Sequence, residues 1–480
     1  MKVNKIVLCT LPKEGELYFF STPPYFLNQA VSYPPLGLLY LAAQLTDKQV
    51  KLIDASAEKL TIEETIERIR KEKPDILGFT AYTIRVLPLK RICEKIKEEF
   101  KDSIRIVVGG NHTSIYPLET LQYKGVDYVL RGECDHTFRQ LLQAIENGEN
   151  EETLSRISGL YYYGKSRDVK SNAYKEPEFD LDDIPFPNRG LIDPKLYSTI
   201  AQDTSLMTTM VSSRGCPFKC IFCDVPNSKI RFRKPQNVVD EIGQITGQGI
   251  SEICFFDDCF NLDRERVLQI CNRIIKNRLK VKWSCRARVF PFDDEMAELM
   301  ASAGCNRIHF GVESVNNDIL KYCNKGITFE QSERALAICR KHKINTLIYL
   351  IFGFPGETPD DLKNAERIII HKLKPNLIFP NILFPLPGSK FYYELLKKGV
   401  LKDDFWAKFV KNPEIAFDMP SIRAKGEDGT LIDFVNGLNR KFYFSPRFIF
   451  NNLGKIFKTN NLSRCISTGL SMLNQKRRGS

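Results

Sequence analysis

No acidic residue follows Asp433 in this 480-residue chain, whereas nine basic residues do: Arg440, Lys441, Arg447, Lys455, Lys458, Arg464, Lys476, Arg477 and Arg478. Nine of the formal net charge of +12 therefore fall in the last 47 residues. The rest of the chain is nearly balanced, which counts against nucleic acid as a partner. No apolar run approaches the roughly 20 residues that a membrane-spanning helix needs. The opening "MKVNKIVLCTLPKEGE" lacks the apolar run and cleavage site of a signal peptide. It reads as a first strand, and a cytoplasmic location is expected. Neither G-x-G-x-x-G nor a P-loop occurs, so dinucleotide and ATP binding by those devices carry little weight. Repeats and low-complexity tracts are also missing. Fourteen cysteines are too few for a disulfide scaffold in a chain this long. Cys9, Cys93, Cys271 and Cys339 stand singly in apolar segments, as small buried hydrophobes do.

What is present divides into α/β segments. Residues 1–150 alternate strand-like runs ("KIVLCTL", "VKLIDAS", "DILGFTAY", "IRIVVGG", "VDYVLRGE") with helical patterns such as "TIEETIERIRKE". That alternation predicts a doubly wound parallel sheet. Gly109, Gly110 and Gly132 fall at carboxyl ends of its strands, where such sheets bind ligands. Residues 151–205 lose periodicity, and "EPEFDLDDIPFPNRGLIDP" reads as an ordered linker. From 206 to 395 six more strand patterns appear, from "LMTTMVSS" to "LIFPNILFPLPG", most followed by a helix. They predict an incomplete, barrel-like parallel sheet. Residues 396–480 read as a helical, basic segment.

The densest chemistry lies in "SSRGCPFKCIFCD", where Cys216, Cys220 and Cys223 are spaced C-x3-C-x2-C. A structural zinc site wants four ligands, and Cys254, Cys259 or Cys285 would have to supply the fourth. A [4Fe–4S] cluster held by three thiolates instead leaves one iron open for a small molecule. The loop follows the first strand of the predicted barrel, so an open iron would face the end where barrel enzymes do chemistry.

With Phe222 before its last cysteine, this loop resembles the signature of the radical S-adenosylmethionine (SAM) superfamily. The resemblance implies that the open iron chelates SAM and that an electron releases a 5′-deoxyadenosyl radical. It extends through "FFDDCF", which would place Asp257 or Asp258 near the methionine amine. In "FGVES", Glu313 would lie near the ribose or amine, and in "YLIFGFPGET" the Gly353 backbone would lie along the adenine. Arg286 and Arg288, in "WSCRAR", would offer a bidentate fork to the cofactor carboxylate. The plainer alternatives are a helix cap for Asp258, a solvated loop residue for Glu313, a simple turn at Gly353 and a barrel-mouth ion pair for the arginines.

A doubly wound domain ahead of such a barrel resembles the cobalamin-dependent subgroup, through "YPPLGLLYLAAQL", "DILGFTAYT", "VVGGNHTSIYP" and "VDYVLRGECDHTF". The fold implied is an N-terminal flavodoxin- or Rossmann-like cobalamin-binding domain, a partial (β/α)6 radical SAM barrel and a helical C-terminal segment. The cofactors implied are a [4Fe–4S] cluster, SAM and cobalamin, served by a reductant such as flavodoxin or ferredoxin. D-x-H-x-x-G, the usual source of a histidine on cobalt, is absent, and of five histidines only His112 stands near a strand end. A hydrogen-bonded loop histidine is the expectation there, with no protein ligand on the lower face of the corrin. The activity implied is methylation of an unactivated carbon, with ring formation or rearrangement as the alternative. A corrinoid- or zinc-binding protein without radical chemistry is the alternative of another class. In the tail, Ile449, Leu453 and Ile456, then Leu462, Ile466, Leu470 and Leu473, have helical spacing among basic residues. Such a helix either covers the barrel or lies in a membrane interface, where the small-molecule substrate would be a lipid.

Overall fold

The computed structural model describes residues 2–17, 32–199, 202, 204, 206–224, 228–415, 417, 422–423 and 427–451. They form two compact units. Of these, one comprises residues 2–17, 34–196, 402–415 and 417; the other comprises 32–33 and the described residues from 197 to 401 and from 422 to 451.

The first unit is a seven-stranded sheet of β1 (Lys5–Thr10), β2 (Gln49–Asp54), β3 (Ile76–Thr80), β4 (Arg105–Gly109), β5 (Tyr128–Leu130), β6 (Leu160–Tyr163) and β7 (Val169–Ser171). Its order is β2-β1-β3-β4-β5-β6-β7, parallel through β5 and antiparallel beyond it. This is the doubly wound order, with its switch point between β1 and β3. Strands β1, β3 and β4 are almost wholly buried because helices cover both faces. The helix Ile62–Glu72 shows how the sequence sets this up. Thr61 and Glu64 close a capping box at its start, and Ile62, Ile66 and Ile69 bury one stripe. Residues 160–171, aperiodic in sequence, add the β6–β7 hairpin and cover the edge of β5.

The second unit is an open six-stranded sheet of β8 (Met207–Met210), then, after a short hairpin of β9 (Ser213–Arg214) and β10 (Arg231–Phe232), β11 (Glu252–Phe255), β12 (Lys282–Ala287), β13 (Cys305–Glu313), β14 (Asn345–Phe352) and β15 (Leu377–Ile382). All neighbours in that sheet are parallel. The expected partial six-unit barrel is therefore what forms. Alternation along the strands assigns the two faces. Ile308, Phe310, Val312, Ile348, Leu350, Phe352 and Ile378 pack with the helices in one core. Their neighbours His309, Gly311, Leu347, Tyr349 and Phe379 turn to the other, inner face and are half-buried. The helix Glu427–Tyr443 contributes Leu431, Val435, Leu438 and Phe442 to the same core. The Tyr443 hydroxyl accepts from the Ile378 amide at 3.2 Å and donates to its carbonyl at 2.6 Å. Among the described residues no helix is long and apolar enough to cross a membrane. The tail positions Leu453 to Leu473 lie outside the described residues.

Candidate functional site

The cysteine loop leaves β8 and is pinned at its start by a buried carboxylate. Asp257, fully buried just after β11, accepts from the Ser212 amide at 2.7 Å, the Ser212 hydroxyl at 2.6 Å and the Ser213 hydroxyl at 2.5 Å. Gly215 follows at φ +94°, where a Cβ would meet the Lys229 carbonyl oxygen at 2.6 Å. Only glycine fits both demands. Further along, the Ile221 amide donates to Cys323 O (3.1 Å), the Phe391 amide to Ile221 O (2.8 Å) and Asn324 Nδ2 to Lys219 O (3.0 Å). The backbone is thus tied from several sides, while Cys216, Cys220 and Cys223 stay half-buried and free of disulfides. Burial raises the Cys216 thiol, with Asp258 and Cys220 adding and the Phe218 amide and Arg288 opposing.

The sequence-expected partners gather on the loops around this one. Asp258 is exposed, and the Gly215 amide reaches its carboxylate. It is not a helix cap: Asp263 caps the next helix, accepting from the Arg266 amide at 3.0 Å. Of the two aspartates, Asp257 is occupied by the loop and Asp258 is accessible. Glu313 ends β13 at φ +63° and is not solvated; it is 6% exposed and ion-paired at 2.7 Å with Lys325, which is 7% exposed. Burial alone would lower the Lys325 ammonium, but Glu313 holds it above its ordinary range. The Lys325 Nζ also stands 5.9 Å from the Phe222 ring, whose edge meets Phe354 at 6.3 Å between centroids. Gly353, at φ +85°, donates its amide to Glu357 and accepts at its carbonyl from Arg423 at 3.1 Å. Burial raises Glu357 to about 7, against the pull of the Gly353 and Phe354 amides.

The two arginines differ. Arg288 is buried, stacks 3.6 Å over the Phe218 ring of the cysteine loop and donates to Lys325 O. Asn261 fixes its backbone, donating to Arg288 O and accepting from Arg288 N, both at 2.9 Å. Arg286 points to the inner face, 4.0 Å over the Phe256 ring. Neither forms a barrel-mouth ion pair among the described residues. Sequence reasoning missed Lys325, Asn261 and Arg423, which have no motif. It also missed His309 and Tyr349, which two-residue alternation on the quoted strands places on the face of Glu313 and Gly311.

In the first unit, Gly109 and Gly110 end β4. A Cβ on Gly110, at φ +103°, would lie 2.8 Å from the Ala81 backbone, so glycine lets the β4 loop close on the β3 loop. At Gly132 a Cβ would lie 2.2 Å from the Tyr174 ring, which occupies that approach. His112 is fully buried in a short helix, Asn111–Ile115, with Nδ1 3.1 Å from the Thr83 hydroxyl. Burial lowers its imidazole to about 3. Tyr82, next to Thr83 in sequence, is half-exposed.

The chain matches the family models of the radical SAM superfamily over residues 210–369 and of the B12 binding domain over residues 25–142. It is 31% identical over 418 residues to an uncharacterised methyltransferase of Pyrococcus horikoshii, spanning 85% of this chain and 87% of that one. This chain belongs to the cobalamin-dependent radical SAM enzymes. It is also 28% identical over 433 residues to an anaerobic magnesium-protoporphyrin IX monomethyl ester cyclase of Rubrivivax gelatinosus, across 88% of this chain and 75% of the relative. The solved radical SAM methyltransferase TsrM of Kitasatospora setae superposes with TM-score 0.63 at 21% identity, covering 83% of this chain and 77% of that one. The cobalamin-dependent radical enzyme OxsB gives 0.65 at 20%, covering 98% and 72%. At those identities the two structures attest the fold.

The cofactors of this enzyme are a [4Fe–4S] cluster, SAM and cobalamin, and the residues fit them. Cys216, Cys220 and Cys223 lie half-buried on one loop, as three thiolates that each take one iron require. Cys254, one of the thiols a zinc would need, is instead buried 2.9 Å from the Ser284 hydroxyl. In the first unit, the sealed, neutral His112 fits a corrinoid bound without a protein imidazole on cobalt.

Proposed function

We propose that this enzyme is a C-methyltransferase acting at an unactivated carbon of a small molecule. The pairing of both family domains with 31% identity across 87% of a relative named as a methyltransferase carries the reading. When bound, the cluster supplies the electron that cleaves SAM and the corrinoid supplies the methyl group. The protein's own residues hold and orient. Cys216, Cys220 and Cys223 would each take one iron, and Asp257 would keep their loop in register through Ser212 and Ser213. Asp258 would meet the methionine amine, Arg288 the carboxylate, Glu313 the ribose and the Gly353 backbone the adenine, with Phe222 packed between loop and turn. Gly109 and Gly110 would let the corrin approach the end of β4, whereas Gly132 is covered by the Tyr174 ring and would not take part. His112, buried and neutral against the Thr83 hydroxyl, would stay out of the corrinoid site.

A flavodoxin or ferredoxin would deliver the electron, in the cytoplasm, and the basic tail would touch anionic membrane if the substrate is a lipid. The test is anaerobic reconstitution with cobalamin, SAM and a reductant, followed by mass spectrometry. The expected result is 5′-deoxyadenosine and S-adenosylhomocysteine formed together. 5′-Deoxyadenosine without S-adenosylhomocysteine, from a product that gains no methyl group, would favour a ring-forming reaction instead. The 28% identity to the Rubrivivax cyclase is what supports that second reading.

A further inference from the structure

The inner face of the second unit's sheet carries a polar chain that the cofactor-binding loops do not use. In register, Arg286 of β12 faces His309 of β13, and Gly311 of β13 faces Tyr349 of β14, which faces Phe379 of β15. The Arg286 guanidinium lies over Phe256, and the Tyr349 hydroxyl is 3.3 Å from His309 Nδ1. Burial pushes the Tyr349 phenol up, while the charge of Arg286 pulls it back.

The donors in this chain have a direction. Arginine can only donate, and with the Tyr349 O–H as the donor to His309 Nδ1 the imidazole must carry any proton of its own on Nε2. Burial, with Arg307 and Arg286 adding, holds the imidazole neutral by lowering it to about 3. Its one proton is then on Nε2, which is buried and has no hydrogen-bond partner among the described residues. A buried donor left so costs about 1–3 kcal/mol. Arg286 likewise forms no ion pair with a carboxylate among the described residues. A cation without a carboxylate partner and a buried imidazole nitrogen without a hydrogen-bond partner, both among the described residues, thus stand on neighbouring strands beside Tyr33, Phe256, Leu347 and Phe379.

We propose that Arg286, Tyr349 and His309 form a subsite for a carboxylate of the substrate, whose apolar body lies against Phe256, Leu347 and Phe379. The assignment rests on the methyltransferase reading only in taking the inner face as the substrate chamber. The cysteine loop and Glu313 mark the mouth. His309 precedes Glu313 by four residues on β13, and the Glu313–Lys325 pair folds back over Gly311, the register partner of Tyr349, so competition with SAM distinguishes a substrate carboxylate from the cofactor's own.

Benzoate and benzamide, alike except for the charge, test it by calorimetric titration into the cluster-reconstituted full chain, with and without saturating SAM. Benzoate should bind at least tenfold more tightly than benzamide, the range of a hydrogen bond to a charged group, and SAM should leave that preference intact. Arg286→Met should abolish the preference. Tyr349→Phe, which keeps the ring in place, should weaken benzoate several-fold. Equal binding of the two probes, or a preference that survives Arg286→Met, overturns the subsite. Displacement of benzoate by SAM overturns it too, by giving Arg286 to the cofactor. Binding is read without turnover. A chain that cleaves SAM but shows no benzoate preference sinks the subsite alone, and a preference without SAM cleavage supports the subsite while sinking the methyltransferase reading.

Discussion

Removing Lys325 should strand a carboxylate that has nowhere to go. Glu313 and Lys325 are 2.7 Å apart, with side chains 7% and 9% exposed. A Cβ at Gly311 would lie 2.5 Å from Glu313 Oε1 and 2.6 Å from Lys325 Nζ, so the pair is packed against the strand itself. Lys325→Met therefore leaves a buried charge unpaired, at a cost of about 3–5 kcal/mol. Glu313→Gln leaves the ammonium unpaired at a similar cost. The double variant removes both charges and should be less destabilised than either single, with a coupling energy of about 2–3 kcal/mol. The assay is anaerobic urea unfolding of the full chain. The protein has two tryptophans. In a Trp406→Phe background, Trp283, fully buried in the second unit, reports that unit alone. Two units need not unfold as one, so the single reporter matters. A double variant whose loss equals the sum of the singles to within about 0.5 kcal/mol would refute the coupling.

Ala at Cys216, Cys220 or Cys223 should each abolish 5′-deoxyadenosine formation and the brown colour of the reconstituted protein, whereas Ala at the buried Cys271 or Cys339 should change stability only; SAM cleavage by Cys220→Ala would sink the cluster assignment. His112→Ala should keep most cobalamin binding, and the Co(II) electron paramagnetic resonance spectrum should show no nitrogen splitting, since the imidazole is fully buried and engaged with the Thr83 hydroxyl; such splitting would place an imidazole or benzimidazole on cobalt. Glu357, raised from 4.5 to about 7, holds a proton in the folded state that the unfolded chain releases, so its contribution is full below about pH 4.5 and is lost as pH rises through about 7. The thermal midpoint should fall across that range in the wild type, and Glu357→Gln should flatten the dependence.

Fold and cysteine loop were legible because their signals are local. Strand and helix periodicities mark every parallel strand of both sheets, and three thiols within eight residues point by themselves to a shared metal group. Long-range partners carry no such signal. Lys325 meets Glu313 only because the chain after β13 folds back past the cysteine loop, and nothing in "YCNKGI" marks it. The two aspartates of "FFDDCF" look equivalent in sequence; packing alone gives Asp257 to Ser212 and Ser213 and leaves Asp258 accessible. At Gly132 the strand-end position suggested a ligand, yet the ring of Tyr174, 42 residues on, fills the space a Cβ would need.

The tail is where sequence pattern and packing part company. The helix Glu427–Tyr443 buries Val435, Leu438 and Phe442, so a truncation at Asp433 would cut the core instead of trimming a surface. Part of the acid-free charge is also spent there. Lys441 pairs with Glu366 at 2.7 Å, and Arg447 donates to the Lys374 carbonyl at 2.7 Å. Six basic residues (Lys455, Lys458, Arg464, Lys476, Arg477 and Arg478) and no acidic one follow Asn451. At about 1 kcal/mol each near an anionic surface, they outweigh what a single exposed Phe450 would add. Truncation after Asn451 is the informative cut. The full chain should pellet with anionic vesicles at low salt and release as salt rises, while the truncated chain stays in solution with its SAM cleavage intact. Equal pelleting of the two, or pelleting that ignores salt, would end the membrane reading and leave the tail as solvated charge.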